Sequence, residues 1–273
     1  MDMLNQIVAH KRREVAHRKE RYPVKLLEEQ LHFRAPTLSM VHYLRRPDKS
    51  GIIAEFKRRS PSKGDINPWA DVETITIGYM QAGASALSVL TDEHFFGGSL
   101  QDLRQARVLN LCPILRKDFV IDSYQIVEAR AWGADVVLLI AECLDKKQVK
   151  ELAAFAKSLG MEVLMELHSA EQLDKLTSDI DMVGVNNRNL KDFSVQIETS
   201  LALAELIPDH MVKVSESGLS RAEVIVQLKA AGYEGFLIGE YLMSSADPAA
   251  RCRNLIADIR QLSLSEHPQS LTS

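Results

Sequence analysis

Short apolar runs rich in β-branched residues recur along this chain at nearly even intervals, and they constrain its fold more than any other feature. The first run begins at Ile52 and the eighth at Gly235, so successive runs start about 26 residues apart, which suits one strand, one helix and two short loops. The runs are IIAEFK (52–57), ALSVLT (86–91), PILRKD (113–118), VVLLIA (136–141), EVLMEL (162–167), MVGVNN (182–187), VKVSES (212–217) and GFLIGE (235–240). They predict eight βα units.

The segments between the runs have the periodicity of amphipathic helices. In residues 145–160 the apolar side chains fall on one helix face, Asp145 can cap the start, and Gly160 can end the helix. Eight βα units form either a closed (β/α)8 barrel or a doubly wound open sheet. The length of 273 residues favours the barrel, and no GxGxxG motif follows the first run. We therefore predict an α/β fold of the (β/α)8 TIM-barrel class.

Residues 1–48 precede the first run and predict an N-terminal helical extension that packs on the barrel. The extension has a partial apolar stripe and six Lys or Arg residues between positions 11 and 21. This basic face is either solvated or covers the barrel mouth beside an anionic ligand, while packing at the opposite end of the barrel is a further alternative. The barrel is assigned to residues 49–262, and the Ser-rich stretch 263–273 is expected to be disordered.

Composition and charge exclude several classes of protein. With 33 basic and 37 acidic residues the net charge is −4, which disfavours nucleic-acid binding. The apolar runs are too short to cross a bilayer, and the N-terminus shows no secretory signal. Three scattered cysteines lack metal-binding spacing and indicate reduced thiols. We expect a cytoplasmic protein with no metal, membrane or nucleic-acid partner, either a monomer or a weak homo-oligomer.

Several runs end in charged residues, which a barrel gathers at its C-terminal mouth, where the active sites of this fold lie. Glu55 and Lys57 are two residues apart and point to the same side of a strand, as a structural ion pair or as part of a confined site. Lys117 ends the third run and Glu166 the fifth. We expect Lys117 to be a buried cation that loses its proton easily because of desolvation and nearby cations, as suits a general acid.

Two further groups of residues favour an anionic, phosphorylated ligand. Asn186 and Arg188 share one side of the sixth run, and a guanidinium suits a carboxylate. Gly218 and Gly239 lie at the ends of the last two runs, where this fold frequently binds phosphate through backbone N–H groups. The two glycines together predict a phosphate site.

Other residues near the strand ends have weaker signals. Ser60 begins a polar turn after the first run that can donate hydrogen bonds. Phe96 packs either over an aromatic ligand or within a loop or core. His94 and His168 lack the further ligands that a metal site needs. Cys143 has no base beside it, so a nucleophilic cysteine is not expected.

The ordered set of motifs over about residues 3–260 resembles the indole-3-glycerol phosphate synthase family of the tryptophan pathway. The motifs are IIAEFKRRSPSKG, SVLTDEHFFGGS, PILRKDFVID, VLMELH, VGVNNRNL, VSESG and FLIGEYLM. The resemblance implies a carbon–carbon lyase that needs neither cofactor nor metal. Its reaction converts 1-(2-carboxyphenylamino)-1-deoxyribulose 5-phosphate to indole-3-glycerol phosphate, with release of CO₂ and water.

The resemblance also implies a role for each candidate residue. Lys117 is the general acid at the carbonyl, and Glu166 is the general base or stabilises positive charge on the anilino nitrogen. Glu55 and Lys57 belong to the acid–base network, and Lys57 and Arg188 face the substrate carboxylate. Asn186 and Glu216 hold hydroxyl groups of the substrate. The phosphate contacts come from Ser60, Ser217, Gly218 and Gly239. The family often has Ser after the last glycine, whereas this chain has Glu240, so a side-chain contact with phosphate is not expected at this position, while a backbone N–H can still serve. Whether Glu240 alters phosphate binding stays open.

Two alternatives of different class stay open at this point. A phosphoribosylanthranilate isomerase needs a Cys/Asp acid–base pair, whereas this chain concentrates charge at Lys117 and Glu166. The second alternative is a barrel that only binds phosphorylated metabolites. Loss of the Lys or Glu at the strand ends would favour it, but both residues are present. The sequence leaves open the oligomeric state, docking to other enzymes of the pathway, and the residue that assists dehydration.

Overall fold

The eight predicted runs form the eight strands of a closed parallel barrel. In the computed structural model, which describes residues 3–189 and 193–266, each strand pairs with the next and the eighth pairs with the first. The strands are β1 (Ile52–Phe56), β2 (Ala86–Leu90), β3 (Ile114–Lys117), β4 (Val136–Ile140), β5 (Glu162–Leu167), β6 (Met182–Asn186), β7 (Val212–Glu216) and β8 (Gly235–Ile238). The predicted (β/α)8 TIM barrel is confirmed.

Helices connect the strands and flank the barrel. They are α1 (Met3–Arg21), α2 (Val24–Glu28), α3 (Met40–Arg45), α4 (Val72–Ala82), α5 (Glu93–Phe96), α6 (Leu100–Leu109), α7 (Ser123–Ala131), α8 (Lys146–Ser158), α9 (Glu198–Leu203), α10 (Ala222–Ala230), α11 (Glu240–Met243) and α12 (Pro248–Glu266). Short 3₁₀ helices span Leu31–Phe33 and Ala170–Lys175, and a small hairpin joins Arg59–Ser60 to Gly64–Asp65. Asp145 caps α8 in a capping box with Gln148, as the sequence predicts for the start of this helix.

Strand side chains alternate between two apolar clusters. Ile53 and Leu115 point into the barrel, where they pack with inward residues of the other strands. Ile52 and Ala54 point outward and pack against the surrounding helices. Both faces of every strand are therefore buried, which explains why the sequence shows continuous apolar runs rather than alternation.

The first helix of the extension lies at the mouth of the barrel. Lys11 on α1 is fully buried, and its Nζ lies 2.8 Å from Asp92 and 2.9 Å from Asp118, which follow β2 and β3. Burial works against the charge, but these carboxylates and Glu14 raise the pKa of Lys11 above its ordinary value. A solvated basic face is therefore the wrong interpretation at Lys11, since this lysine fastens α1 to the loops of the mouth.

The end of the extension closes the opposite, N-terminal end of the barrel. Met40 at the start of α3 is fully buried and joins the cluster inside the barrel. Its backbone N–H donates to Oε2 of Glu162 at 2.7 Å, at the first residue of β5. Thr37 Oγ1 donates to the carbonyl of Gly160 at 2.7 Å. The extension thus contacts both ends of the barrel.

The C-terminal helix extends beyond the predicted end of the barrel domain. Buried Cys252, Leu255 and Ile259 pack α12 against the core, and the helix continues to Glu266. Its last residues therefore overlap the stretch 263–273 for which disorder is predicted, and residues 267–273 lie outside the described residues. Within the described ranges, no helix has the length and apolarity that crossing a membrane requires.

Candidate active site

The inward positions of the strands change from apolar to polar at their carboxyl ends, and a cavity of about 700 Å³ opens there. In β1 the inward Ile53 is followed by Glu55, and in β3 the inward Leu115 is followed by Lys117. All twelve residues that the sequence assigns to the site line this cavity: Glu55, Lys57, Ser60, Phe96, Lys117, Glu166, Asn186, Arg188, Glu216, Ser217, Gly218 and Gly239. The strand period of two thus places the chemistry directly above the packed barrel core.

Lys117 lies among carboxylates at the bottom of the cavity. Its Nζ is 2.6 Å from Glu166 Oε2 and 3.1 Å from Glu216 Oε2. Burial alone would lower the pKa of Lys117, but the charges of Glu166, Glu216 and Glu55 outweigh it and raise the pKa above the ordinary value. The expectation that Lys117 loses its proton easily is therefore wrong, because its neighbours are anions and not cations.

The two carboxyl groups beside Lys117 differ in their acidity. Burial would raise the pKa of Glu166, but the charges of Lys117 and His168 and the hydrogen bonds that Glu166 accepts lower it below the ordinary value. Burial and the negative charges of Glu166 and Glu55 raise the pKa of Glu216, against the opposing effect of Lys117. The pair therefore offers an ionised carboxylate at Glu166 and a more easily protonated one at Glu216.

Glu55 and Lys57 form the ion pair that their spacing predicts. Lys57 Nζ lies 2.7 Å from Glu55 Oε1, and both side chains line the cavity. Ser88 Oγ donates to Glu55 Oε2 at 3.4 Å. The two side chains are mostly buried, yet they face the space where a ligand would bind, so the pair belongs to the site and not only to the core.

Arg188 has a partner that the sequence analysis did not identify. Its Nη2 donates to Glu240 Oε2 at 2.9 Å, and Lys63 Nζ lies 3.5 Å from Glu240 Oε1. Asn186 orients Arg188 by accepting its backbone N–H at 3.0 Å, and it donates to Glu166 Oε1 at 3.1 Å. The only sequence signal for this pairing is that Glu240 follows the last strand, where side chains converge at the mouth.

The loops after β7 and β8 form one side of the cavity beside the turn at Ser60. Ser217 and Gly218 have positive φ angles of 69° and 74°, so the backbone of this loop turns irregularly at these two residues. A Cβ on Gly218 would lie 2.4 Å from Val195 Cγ1, so only glycine fits there. Asn187 Nδ2 donates to the carbonyls of Glu216 and Ser217 and holds this loop from behind.

Apolar residues cover the remaining part of the cavity. The ring of Phe96 lies 5.9 Å from that of Phe119, which the sequence analysis did not select. Leu4 and Ile7 of α1 also line the cavity, so the apolar stripe of the extension faces the site. The helical period of the apolar residues is the one feature of the sequence that indicates this packing.

The described residues show no cluster of His, Cys, Asp or Glu that could hold a metal ion. The charged groups are arranged instead as ion pairs around a cavity with an aromatic and aliphatic wall. Such a site can bind an anionic aromatic molecule and exchange protons with it.

Comparison with known proteins decides the family of this barrel. Residues 4–255 match the family model described as indole-3-glycerol phosphate synthase. The chain belongs to the indole-3-glycerol phosphate synthase family. It is accordingly a carbon–carbon lyase of tryptophan biosynthesis, and the resemblance that the motifs indicate is confirmed.

Curated relatives with the name indole-3-glycerol phosphate synthase match almost the whole chain. The relative from Bacteroides thetaiotaomicron is 50% identical over 259 residues, which are 95% of this chain and 99% of the relative. The relative from Kineococcus radiotolerans is 43% identical over 94% of this chain and 96% of its own length. The synthase family is therefore matched over the extension as well as the barrel.

Solved structures with low identity show the same fold. The 3-hexulose-6-phosphate synthase from Salmonella typhimurium matches with a TM-score of 0.62 at 13% identity, over 77% of this chain and 98% of that one. A mutant tryptophan synthase alpha-subunit from Pyrococcus furiosus matches with a TM-score of 0.56 at 14% identity, over 78% and 99% of the two chains. At such identities the likeness supports the barrel fold alone.

Proposed function

We propose that the cavity closes the indole ring of 1-(2-carboxyphenylamino)-1-deoxyribulose 5-phosphate, with Lys117 as general acid and Glu166 as general base. The observation that carries this assignment is the contact of Lys117 Nζ with Glu166 Oε2 at 2.6 Å on the floor of the cavity. A proton donor and a proton acceptor of buried, opposite charge are thereby within one hydrogen bond of each other.

Ring closure needs a proton at the substrate carbonyl. Lys117 is charged in the resting site because three carboxylates surround it, and it donates to the carbonyl oxygen as negative charge develops there. The aromatic carbon that carries the carboxylate bonds to the carbonyl carbon, and CO₂ leaves with its bonding electrons retained by the ring. The carbonyl oxygen has then become a hydroxyl group.

Dehydration follows in the same cavity. The hydroxyl departs as water after accepting a second proton, and the anilino nitrogen shares its lone pair with the carbon left behind. Glu166 is the ionised carboxylate available to stabilise that positive charge and to take the proton released as the indole forms. Glu216, whose pKa is raised, is the carboxyl group suited to supply a proton for the departing water.

The wall of the cavity matches the rest of the substrate. Lys57 and Arg188 are the cations for the aromatic carboxylate, and Phe96 packs on the ring. Asn186 and Glu216 hold hydroxyl groups. The phosphate is assigned to Ser60, Ser217, Gly218 and Gly239, which lie together along one side of the cavity. Because Glu240 already binds Arg188, the substrate carboxylate has to compete with it for the guanidinium.

One assay tests the proposal. The purified protein is mixed with the carboxyphenylamino-deoxyribulose phosphate, and the fluorescence of the indole product is followed with wild type and with Lys117→Ala and Glu166→Gln. We expect product with the wild type and a loss of rate in both variants. Conversion of phosphoribosylanthranilate instead would support the isomerase alternative, and binding without turnover would support a non-catalytic barrel.

Location and assembly follow the same proposal. The three cysteines are free thiols, two of them buried, which suits a reducing compartment, so we place the enzyme in the cytoplasm. We propose a monomer or weak homo-oligomer that acts on a small-molecule substrate without cofactor or metal. Light scattering across a concentration series, alone and mixed with other tryptophan-pathway enzymes, tests the oligomeric state and any docking.

A further inference from the structure

His168 lies beside the proposed base and has no role in the assignments above. It follows β5 two residues after Glu166, and its Nε2 lies 3.5 Å from Glu166 Oε1. Its side chain is only 13% exposed. Among the described residues, neither ring nitrogen has a hydrogen-bond partner. A mostly buried imidazole with unsatisfied nitrogens next to a catalytic carboxylate requires an explanation.

The backbone around His168 is fixed by hydrogen bonds. Its N–H donates to Oε1 of Gln172 at 2.7 Å, and Nε2 of Gln172 donates to Glu142 after β4. The end of β5 is thereby tied to the neighbouring strand and to the 3₁₀ helix that follows. These bonds fix the backbone at His168, while the ring nitrogens make no hydrogen bond of their own.

Three groups surround the Glu166 carboxylate and divide its two oxygen atoms between them. Lys117 binds Oε2 from the cavity, while Asn186 and His168 both approach Oε1. His168 does not line the substrate cavity. It lines a second, polar cavity of about 330 Å³ that shares Asn186 and Arg188 with the first. His168 therefore contacts Glu166 from the second cavity and not from the substrate cavity.

We infer that His168 is a positioning residue for Glu166, and this inference rests on the proposed role of Glu166 as base. The Nε2–Oε1 distance of 3.5 Å is an ion-pair contact and not a hydrogen bond, and this contact holds Oε1 so that Oε2 stays directed at Lys117 and the cavity. The ring can donate in its neutral and its charged form. In the charged form it also stabilises the carboxylate, which keeps Glu166 ionised at lower pH.

Other charged groups also lie close to the His168 ring and the Glu166 carboxylate. Those that face it are Glu166 on β5, Glu142 after β4 and Arg188 after β6, with Lys117 beyond the Glu166 carboxylate. Of these groups, Lys117 and His168 both favour the ionised form of the Glu166 carboxylate and lower its pKa. Removing the ring leaves the Glu166 carboxylate with Lys117 and Asn186 alone, so its proton affinity rises.

The test compares two variants at position 168 with a matched control. His168→Phe removes the donor and the charge, whereas His168→Gln keeps a donor without a charge. We expect the phenylalanine variant to lose about tenfold in kcat, the value of one favourable contact between an N–H group and a carboxylate, with little change in KM. The acid limb of the pH profile of kcat should move to higher pH in this variant. The glutamine variant should recover most of kcat but keep the displaced limb.

His42→Gln is the control, because His42 is exposed on α3 at the opposite end of the barrel and should leave kinetics unchanged. A folded His168→Phe protein with native kcat and a native acid limb would overturn the inference. If that variant does not fold, an unmoved acid limb in His168→Gln overturns it instead.

A double variant separates this inference from the proposed function. In a Glu166→Gln background, His168→Phe should have no further effect on the residual rate, because its effect passes through Glu166. An undiminished further loss would contradict the positioning role. A fully active Glu166→Gln protein would instead overturn the proposed function, whatever the position 168 variants show.

Discussion

Gly239 faces Glu55 so closely that a Cβ atom at position 239 would lie 2.2 Å from Glu55 Oε1. The φ of Gly239 is −119°, so its backbone does not demand glycine. The requirement is space for the carboxylate that binds Lys57. Gly184 has the same relationship to Glu216, whose Oε1 would be 2.3 Å from a Cβ. Two glycines thus make room for two of the three carboxylates around Lys117.

We predict that Gly239→Ala lowers kcat strongly, by about tenfold or more, because the methyl group displaces Glu55 from Lys57. Ser60→Ala removes a hydroxyl from the side of the cavity where we propose that phosphate binds, without touching Glu55, and it should mainly raise KM. Steady-state kinetics on both variants checks the contrast. A Gly239→Ala protein with native kcat and raised KM would show that Gly239 acts only through phosphate.

Lys117 is the residue whose removal should cost the most activity. Lys117→Ala should lower kcat by about 10²-fold or more with little change in KM, as loss of a general acid requires. It also leaves Glu166 and Glu216 without their shared cation, so the variant should melt at a lower temperature. Lys117→Arg keeps the charge and serves as the control for stability. Near-native kcat in Lys117→Ala would remove this residue from the mechanism.

Arg188 and Glu240 should have opposite effects on substrate binding. Arg188→Ala should mainly raise KM, because a bidentate contact with the carboxylate exists before the transition state. Glu240→Gln frees the guanidinium from a competing carboxylate, so KM should fall while kcat stays the same. An analogue without the aromatic carboxylate should bind wild type and Arg188→Ala about equally well. Equal weakening of both ligands would make Arg188 a packing or phosphate residue.

Glu216 should make stability depend on pH. Its pKa rises from 4.5 to about 7 on folding, so the native state holds a proton that the unfolded state releases in this range. The contribution of Glu216 to stability is therefore full below pH 4.5 and is lost as pH rises through 7. Glu216→Gln lacks this loss, so its melting temperature relative to wild type should increase between pH 5 and 8. A difference that does not change with pH would contradict the raised pKa.

The strand period explains how much of the site the sequence could predict. The pairing of Glu55 with Lys57 follows from their spacing alone. The barrel brings Lys117 and Glu166 together because each is an inward-facing residue near the carboxyl end of its strand. The acidity of Lys117 could not be predicted in this way. It depends on which charges are nearest, and those come from three other strands.

Contacts between the extension and the barrel were equally beyond the sequence pattern. The basic residues of α1 predict a solvated face as well as they predict a buried ion pair, and only the position of α1 brings Lys11 to Asp118. Likewise, nothing in the stretch around Met40 distinguishes a plug inside the barrel from a surface helix. Both are long-range contacts, which periodicity does not encode.

The two ends of the extension should therefore have separable functions. Met40→Ala opens a cavity at the closed end of the barrel, far from the substrate, and should cost about 2–5 kcal/mol of stability. The kinetics of the folded fraction should stay native. Deleting residues 1–45 would combine this effect with the effect of losing α1, so the two ends of the extension are tested by separate variants.

Removal of residues 2–22 tests α1 alone. Leu4 and Ile7 would no longer cover the cavity, and Asp92 and Asp118 would lose Lys11, so water should reach the substrate more freely. We predict a folded barrel with a cooperative melt, a raised KM and a lowered kcat. Lys11→Met keeps the helix but removes its buried charge, and it should show a smaller change in the same direction. Measuring melting and kinetics on one preparation decides between the two functions, because native kinetics after removal of α1 would leave it a role in stability alone.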